Sequence, residues 1–513
     1  MQELKLVKEL AFGDHAKSQL LTGVEKLTNA VGSTLGAGGK CVILEDNNGK
    51  PIVTKDGVTV ANSITLRNPI ENIGATLLKQ AAQQTVKEAG DGTTTATILA
   101  KAILDEADKH SLLDDVRLMK EGINVGVKKV LSYLEDKATK VSKNKIEQVA
   151  TISANNDNNL GKLISKAFNS VDKYGSVMLE TNNETNSIVD IVDGLEYDQG
   201  LKTNHFANNK EKDACILENP LVLISESKID NIRQIQRVLE HAIQSKRSLL
   251  IIADVDYQVY SALAMNKMKG NIKVNVIDGP TYGINQKIVL DNLSLITKAK
   301  VFNQDLGDDL DLISEEDLGT CLKVSTFKNN TIFKIDVDKN ENLKKSIEIL
   351  KNKKNKSEAI RRKISQLTGK LAIVKIGADS EVELKEKKDR AEDAICATRA
   401  AINEGILPGG GIALLNASYK LEPKSIGEEV LYCAIRKPFE IIMQNAGIQY
   451  DNIPDKEGIG YNVVTGKTVD MVQAGIIDPL LVTKSALKNA ASVATTILST
   501  DCIINNIRNE SGR

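Results

Sequence analysis

The stretch that most constrains this chain is Gly90–Thr97, with the sequence Gly-Asp-Gly-Thr-Thr-Thr-Ala-Thr. Two glycines flank one carboxylate, three hydroxyls follow, and apolar residues recur at helical spacing over residues 98–103. A helix that begins at the threonines would direct its first N–H groups at a phosphate, and Asp91 could hold a magnesium ion beside it. The alternative is an Asp-Gly turn with threonine caps and no ligand. These residues alone leave both interpretations open.

Composition excludes several classes of protein. The 513 residues include 67 Lys and Arg against 68 Asp and Glu, so the net charge of −1 gives no general attraction to nucleic acid or anionic membranes. Aromatic residues make up 3% and tryptophan is absent, which argues against a base-stacking surface. No apolar run is long enough to span a membrane, and residues 1–5 lack the apolar core of a signal peptide. We therefore expect a soluble, cytoplasmic protein of two to four domains.

Cysteine and histidine spacing gives no metal-binding pattern. No two cysteines form a C-x-x-C pair, so we expect reduced thiols and neither a disulfide framework nor a zinc site. The cysteines are Cys41, Cys215, Cys321, Cys396, Cys433 and Cys502. The histidines, which are equally scattered, are His15, His110, His205 and His241.

The apolar pattern predicts helical ends and a strand-rich middle. Helices are predicted over residues 13–35, 70–89, 95 to about 135, 381–404 and 483–500, with a charged helical region over 341–367. Short strands are predicted at 41–44 and on both sides of a Lys55-Asp56-Gly57 turn, at 52–54 and 58–60. In the middle, apolar runs at 221–224 and 249–253 precede helical stretches at 229–244 and 256–269, a pattern typical of a parallel βαβ unit.

Five separated segments, taken together and in order, resemble the group I chaperonins, the GroEL-like ATP-driven folding machines. They are Thr34-Leu35-Gly36, Thr54–Val58, Gly90–Thr97, the run from Glu392 to Ala401 with Gly405 and Gly409–Gly411, and Gly475–Pro479. Any one segment could arise by chance, but all five occur with nearly the family's spacing. The resemblance covers nearly the whole chain.

The resemblance implies a multidomain α and α/β protein with the chaperonin fold. Residues 1–138 and 405–513 would form a helical equatorial domain that binds ATP. Residues 139–193 and 371–404 would form a small intermediate hinge domain, and 194–370 an α/β apical domain that binds substrate and co-chaperonin. Thr139 and Lys370 stand where the family has a hinge proline and glycine, so we expect altered amplitude or timing of domain motion.

The resemblance also implies an ATP site with Mg²⁺ and K⁺. Asp91 matches the magnesium ligand, and Asp393, with Asp56 nearby, matches the residue that polarises the attacking water. The potassium positions are the carbonyls of Thr34 and Lys55 and the hydroxyl of Thr94. The nucleotide positions are Thr34, Leu35, Gly36, Lys55, Gly92, Thr93, Thr94, Thr95, Gly409, Gly410, Asn462, Val463, Ile476 and Asp478.

An apolar apical surface for non-native client proteins is implied in the same way. Its residues would be Leu201, Phe206, Leu239, Tyr260, Ala264 and Met265. Polar residues such as Gln236 replace expected apolar ones, so this surface has fewer apolar side chains than the family pattern. The resemblance further implies a homo-oligomer, a heptameric single or double ring, and a GroES-like co-chaperonin.

Three functions therefore compete. The first is an ATP-hydrolysing, ring-forming chaperone, which the set of Asp91, Asp393 and Thr93–Thr95 favours. The second is a chaperonin-fold scaffold with weakened folding activity. It is favoured by the polar residues within 201–206, the segment in the place of the family's apolar client-binding strand. The third is a small-molecule kinase with the same phosphate loop, and the absence of a second polar pocket for an acceptor argues against it.

Overall fold

The structure is a computed structural model that describes residues 8–45, 49–110, 115–154, 156–171, 176–182, 184–209, 214–280, 284–335, 340–352, 367, 370–449 and 456–506. Its helices are α1 (Gly13–Gly32), α2 (Gly57–Ser63), α3 (Pro69–Ala89), α4 (Thr93–Asp108), α5 (Val116–Lys137), α6 (Lys143–Ser153), α7 (Asn158–Ser170), α8 (Gln236–Gln244), α9 (Tyr257–Met268), α10 (Ile284–Thr297), α11 (Glu341–Asn352), α12 (Glu381–Glu404), α13 (Ile412–Lys420), α14 (Ile426–Ala434), α15 (Lys437–Asn445) and α16 (Leu480–Leu498).

Its strands are β1 (Lys8–Phe12), β2 (Val42–Glu45), β3 (Pro51–Thr54), β4 (Val177–Thr181), β5 (Ile188–Tyr197), β6 (Cys215–Glu218), β7 (Leu221–Ser225), β8 (Leu249–Ile252), β9 (Val274–Ile277), β10 (Val301–Phe302), β11 (Gly319–Thr320), β12 (Lys323–Thr326), β13 (Thr331–Lys334), β14 (Lys370–Ile376), β15 (Ile406–Pro408), β16 (Ile459–Asn462), β17 (Lys467–Asp470), β18 (Ile477–Pro479) and β19 (Cys502–Asn506).

The chain forms two compact units. The first contains Met1–Ser165 and Asp379–Arg513, and the second, which contains Lys166–Ala378, interrupts it in sequence. The finer division into three domains, with an intermediate domain at 139–193 and 371–404, stays a prediction. Among the described residues, no helix has both the length and the apolar character needed to cross a membrane.

A helical core holds the first unit together. Helices α1, α3, α4, α5, α14 and α16 bury small and aliphatic side chains against one another. On α1 the buried residues Leu20, Val24, Leu27 and Val31 recur every three or four positions, which confirms the helix predicted there.

Helices α1 and α3 pack closely because each has a glycine in the contact. An ideal Cβ at Gly23 would lie 1.9 Å from the carbonyl oxygen of Glu71, and one at Gly74 would lie 2.2 Å from that of Leu20. A side chain at either position would therefore force the two backbones apart.

The second unit confirms the predicted βαβ arrangement. Strands β7, β8, β9 and β10 run parallel, and β11 adds to β7 in the antiparallel direction. Alternate side chains of this sheet pack against α8 and α9 on one face and against α10 on the other, so the strands are apolar throughout. A second sheet has the strand order β4-β14-β5-β13-β12-β6.

Three local predictions need correction. The helix expected from 95 to about 135 is two helices, since α4 ends at Asp108 and α5 begins at Val116. The strand expected at 58–60 is part of α2. In the charged region 341–367, α11 ends at Asn352, and residues 353–366 lie outside the described residues.

We predict that Gly74→Ala destabilises the first unit, because its methyl group would overlap the carbonyl oxygen of Leu20 in the backbone of α1. The expected loss is about 2–3 kcal/mol in the free energy of unfolding, measured by urea denaturation. Ser18→Ala, at an exposed position of α1, is the matched control and should unfold at the parental midpoint. Equal midpoints for both variants would contradict the close packing of α1 and α3.

Candidate functional site

A cavity of about 1130 Å³ lies within the first unit. Every predicted nucleotide, metal and catalytic residue lines it except Gly409, whose N–H donates to the carbonyl of Ile476 at 2.9 Å just behind the wall. The lining residues come from both sequence segments of this unit. The structure thus brings together positions that are far apart in sequence, in a volume suited to a small-molecule ligand.

The Gly90–Thr95 segment forms a helix start with free donors. Gly90 ends α3 in the left-handed region with φ of 76°, and Gly92 precedes α4 with φ of 98°, which favours glycine at both positions. In the described part of the chain no side chain caps this end of α4. The threonines lie inside the helix, so the alternative of threonine caps fails, and the first N–H groups are left for an anion.

Asp56 has a structural role that the sequence did not predict. Its carboxylate caps α2, accepting the N–H groups of Val58 at 3.0 Å and Thr59 at 2.8 Å, and also the Thr59 hydroxyl at 2.6 Å. This cap explains why the β-branched residues after Gly57 form a helix instead of a strand. An ideal Cβ at Gly57 would lie 2.4 Å from the hydroxyl oxygen of Thr94, so glycine lets α2 approach the start of α4.

Short antiparallel pairing positions the far wall of the cavity. Strand β15 pairs with β18, which places Asp478 opposite Leu407, beside the glycine loop. The N–H of Gly410 donates a hydrogen bond to the Asp478 carboxylate. Strands β16 and β17 form a hairpin that begins its turn at Asn462.

Carboxylates converge in this cavity and raise one another's pKa. Burial, then the charges of Asp91 and Asp56, raises the pKa of Asp393 to about 9. Burial and the charge of Asp91 raise the pKa of Asp478 to about 7. Burial also raises the pKa of Asp91, although its hydrogen bond from the Gly92 N–H acts in the opposite direction. The cavity is therefore an environment that favours bound positive charge.

These residues fit a divalent cation that a ligand helps to hold. Among the described residues, no three His, Cys, Asp or Glu side chains form a ready-made metal site. Mg²⁺ commonly takes one or two carboxylates together with phosphate oxygens and waters. Asp91, next to the free N–H groups of α4, matches that requirement, and a cation there would relieve the repulsion between the carboxylates.

The sequence missed a second set of cavity residues on α12. Glu386, Asp389 and Arg390 line the cavity together with Asp393. Burial, then the charge of Asp56, raises the pKa of Asp389. Arg390 lies 3.7 Å from Asp157 and 3.6 Å from Glu386 as an ion pair. Asp389 and Arg390 precede Asp393 by four and three residues, and this helical spacing could have predicted that they share its face of the helix.

Helix α12 contacts the glycine loop directly. An ideal Cβ at Gly90 would lie 2.2 Å from the Cβ of Cys396, so the cysteine side chain occupies that space. One turn further, Ala400 packs against Ala89 and Val482. Small residues on both sides thus hold Asp393 close to the loop that contains Asp91.

In the second unit, the predicted client-binding residues are mostly covered. Phe206, Tyr260 and Ala264 are buried in the core, and Leu201 and Leu239 are half-buried against it. Residues 204–206 form a 3₁₀ turn instead of the expected strand. Only Met265 of the predicted set is well exposed, at 57%. The covered residues are therefore not available for contact in this structure.

Comparison with solved structures defines the class of fold. The chain is similar to the chaperonin gp146 from the bacteriophage EL 2 (Pseudomonas aeruginosa), crystallised in the presence of ATP-BeFx, with a TM-score of 0.79 and 21% identity over 99% of this chain and 100% of that one. A second crystal form gives a TM-score of 0.70 and 21% identity over 97% and 99%. The fold is that of a chaperonin.

The sequence also matches the model of a protein family. The model described as the TCP-1/cpn60 chaperonin family matches residues 27–508. The chain belongs to this family, which confirms the resemblance and the fold class predicted from the sequence.

We predict that the raised pKa of Asp393 makes the nucleotide-free protein less stable as the pH rises. The folded protein keeps a proton on Asp393 up to about pH 9, whereas an unfolded Asp loses it near its ordinary pKa of 3.8. The contribution of this proton to the free energy of unfolding is complete below pH 4 and is lost as the pH rises towards 9. Asp393→Asn should therefore flatten the fall of Tm between pH 6 and 9.

Glu392→Gln is the control for that measurement, because Glu392 is the exposed neighbour of Asp393 on α12. It should retain most of the parental slope of Tm against pH in differential scanning fluorimetry. If the parent and Asp393→Asn gave parallel curves, Asp393 would not be held protonated in the folded protein.

Proposed function

We propose that this protein is an ATP-hydrolysing molecular chaperone that forms rings and acts on non-native proteins. The observation that carries the proposal is the single cavity that joins the uncapped start of α4 to the carboxylates of Asp91 and Asp393. Family membership supports the chaperonin role. The phage chaperonin of similar fold was crystallised with ATP-BeFx, which supports a nucleotide as the ligand.

In this proposal the polar end of the cavity binds the phosphates. The N–H groups and hydroxyls of Thr93–Thr95 contact phosphate oxygens, and Asp91 holds Mg²⁺. The cation would neutralise charge that develops on the transferred phosphoryl group. The carbonyls of Thr34 and Lys55 and the Thr94 hydroxyl would hold K⁺. Val463 and Ile476 line the part of the cavity suited to the base.

Asp393 would orient and polarise the attacking water. Its carboxylate can accept a proton only when it is ionised, whereas burial and then the neighbouring carboxylates raise its pKa to about 9 and favour the protonated form. Positive charge near Asp91 lowers that pKa because the Asp91 charge is the largest electrostatic cause of the shift. The base would therefore become competent when the ligand and its cation are in place.

Client binding would use the second unit. Helix α9 exposes Tyr257 at 80%, Met265 at 57% and Met268 at 68%. Their spacing places them on one face of the helix, and flexible methionine side chains adapt to varied apolar partners. We further propose a heptameric ring, closed by a GroES-like lid that contacts the same unit.

A scaffold assembly with weak folding activity is the second candidate. The burial of Phe206, Tyr260 and Ala264 favours it, because these side chains cannot contact a client without opening the core. The two functions differ in what happens to a denatured protein in the presence of ATP.

The proposal is tested by steady-state ATP turnover together with suppression of aggregation of a denatured client. We expect the parent to hydrolyse ATP and to reduce light scattering by the client. Asp393→Ala should bind ATP but turn it over about 10²–10⁴ times more slowly, while Glu392→Gln keeps the parental rate. Parental turnover by Asp393→Ala would refute the assigned role of Asp393.

The same samples distinguish the two candidate functions. Hydrolysis without any effect on the client would favour the scaffold, and phosphorylation of a small molecule would exclude both. Particle images by electron microscopy should show seven-fold rings, and monomers at working concentration would contradict the proposed assembly.

A separate prediction concerns Asp56, which is both a helix cap and a proposed contributor to the reaction. Asp56→Asn removes the charge and keeps one of the two oxygens that accept in the cap, so it loses the hydrogen bond from Val58 or that from Thr59 and stability should fall by about 0.5–1 kcal/mol. ATP turnover should nevertheless fall. Asp56→Ala should lose about 1 kcal/mol in addition. If Asp56→Asn hydrolysed ATP at the parental rate, Asp56 would be a cap alone.

A further inference from the structure

A lysine and a cysteine meet in the core of the second unit. Lys267 lies on α9, and its Nζ atom is 3.8 Å from the Sγ atom of Cys215, the first residue of β6. Cys215 is fully buried, and Lys267 is half-buried although its neighbours Met265 and Met268 are exposed. The lysine side chain therefore turns inwards from α9 and places a primary amine beside a thiol.

The surroundings of this amine hold it in place without a compensating negative charge. Its Nζ atom donates a hydrogen bond to the carbonyl oxygen of Phe206 and lies 5.4 Å from the centre of that aromatic ring. Burial lowers the pKa of the Lys267 ammonium, and no carboxylate among the described residues opposes that shift. The unprotonated amine, which is the nucleophilic form, is therefore favoured relative to that of an exposed lysine.

The amine also changes the chemistry of the thiol. Burial raises the pKa of the Cys215 thiol, while the charge and hydrogen bond of Lys267 act in the opposite direction. A buried cysteine is ordinarily inert, because the thiolate is the reactive form and burial disfavours it. Here the adjacent amine can accept the thiol proton as a general base. The pair thus contains both a nucleophilic sulfur and the base that activates it.

Cys321 gives an internal comparison in the same unit. Its thiol is also buried, and burial raises its pKa to about 12. Its Sγ atom lies 4.0 Å from the carbonyl oxygen of Lys323, and the nearby positive charge is that of Arg247. A guanidinium keeps its proton in proteins, so it can neither deprotonate a thiol nor attack sulfur. The two cysteines share burial, and the adjacent amine is what distinguishes Cys215.

We propose that Cys215 and Lys267 form a reversible sulfur–nitrogen bond when the protein meets hydrogen peroxide. The thiolate attacks one peroxide oxygen and the O–O bond breaks, which leaves a sulfenic acid. The departing hydroxide takes from Lys267 the proton that came from the thiol and becomes water. The free amine then attacks the sulfur, and the sulfenic hydroxyl leaves with one amine proton as a second water. Sulfur is oxidised, peroxide is reduced, and the protein loses two hydrogen atoms.

The bond would join α9 to β6, across 52 residues of sequence. It would restrain the helix whose exposed side chains form the proposed client face, at a position between Met265 and Met268. Neither member of the pair lines the nucleotide cavity. The inference therefore goes beyond the proposed function, and the outcome of the ATPase experiments does not decide it.

The test is peptide mass spectrometry of the full chain after treatment with hydrogen peroxide, with remaining thiols blocked and no reductant present. We expect the tryptic peptides of Cys215 and Lys267 to be linked, with a mass two hydrogen atoms below the sum of the two. Cleavage after Lys267 should be lost, because trypsin requires a free side-chain amine. A thiol reductant should remove the link and restore the cleavage.

Two results for the parent would overturn the inference. One is oxidation of Cys215 to sulfinic or sulfonic acid, or no reaction at all, without a linked peptide. The other is a link that carries an additional oxygen atom, because the sulfur and nitrogen would then not be bonded directly.

Lys267→Arg retains a positive charge beneath α9 but removes the nucleophilic amine, so the link should be absent. Lys269→Arg is the matched control at an exposed position just beyond α9, and it should link as the parent does. Cys321 in the same samples should show no link to any lysine. A link at Cys321 as abundant as that at Cys215 would refute the role of the adjacent amine. Should Lys267→Arg not fold, the peptides of the parent still decide the outcome.

Discussion

The first unit depends on bringing several carboxylates into one cavity against their mutual repulsion. Asp91, Asp393 and Asp478 each have a raised pKa, caused first by burial and then by neighbouring negative charge. In isolation this arrangement opposes folding, because each ionised group disfavours the others. The helical core has to supply the stability that the site reduces. A bound cation and phosphate would reverse the balance.

The carboxylates can lie close together because neighbouring elements pack closely where they contain glycine. Gly90 leaves space for Cys396, Gly57 leaves space for the Thr94 hydroxyl, and α1 and α3 meet where Gly23 and Gly74 lie. At Gly23 and Gly74 a Cβ would overlap a backbone carbonyl, and at Gly90 the Cβ of Cys396, overlaps that no side-chain rotation could relieve. The carboxylates reach one another because the backbones around them have no side chains in the way.

The sequence predicted those features that depend on local residues. Helix α12 matches its predicted bounds because Ser380 caps its start and Gly405 follows its end. Helix α2 was missed because Val58 and Val60 favour strands, and the Asp56 cap outweighs that propensity. The resemblance predicted which distant residues would lie together, and all of them except Gly409 line the cavity. Periodicity alone could not, because it identifies an apolar face without identifying what covers that face.

The second unit illustrates this limit. The aromatic pair Phe206 and Tyr260, with ring centroids 5.1 Å apart, was expected on a client-binding surface and instead stabilises the core beneath α9. The buried apolar residues of the second unit are needed for its own stability before they can serve a partner. On α9 the large apolar side chains that remain exposed are Tyr257, Met265 and Met268. Client recognition would then depend on this helix face, and the buried aromatics would act by holding it in place.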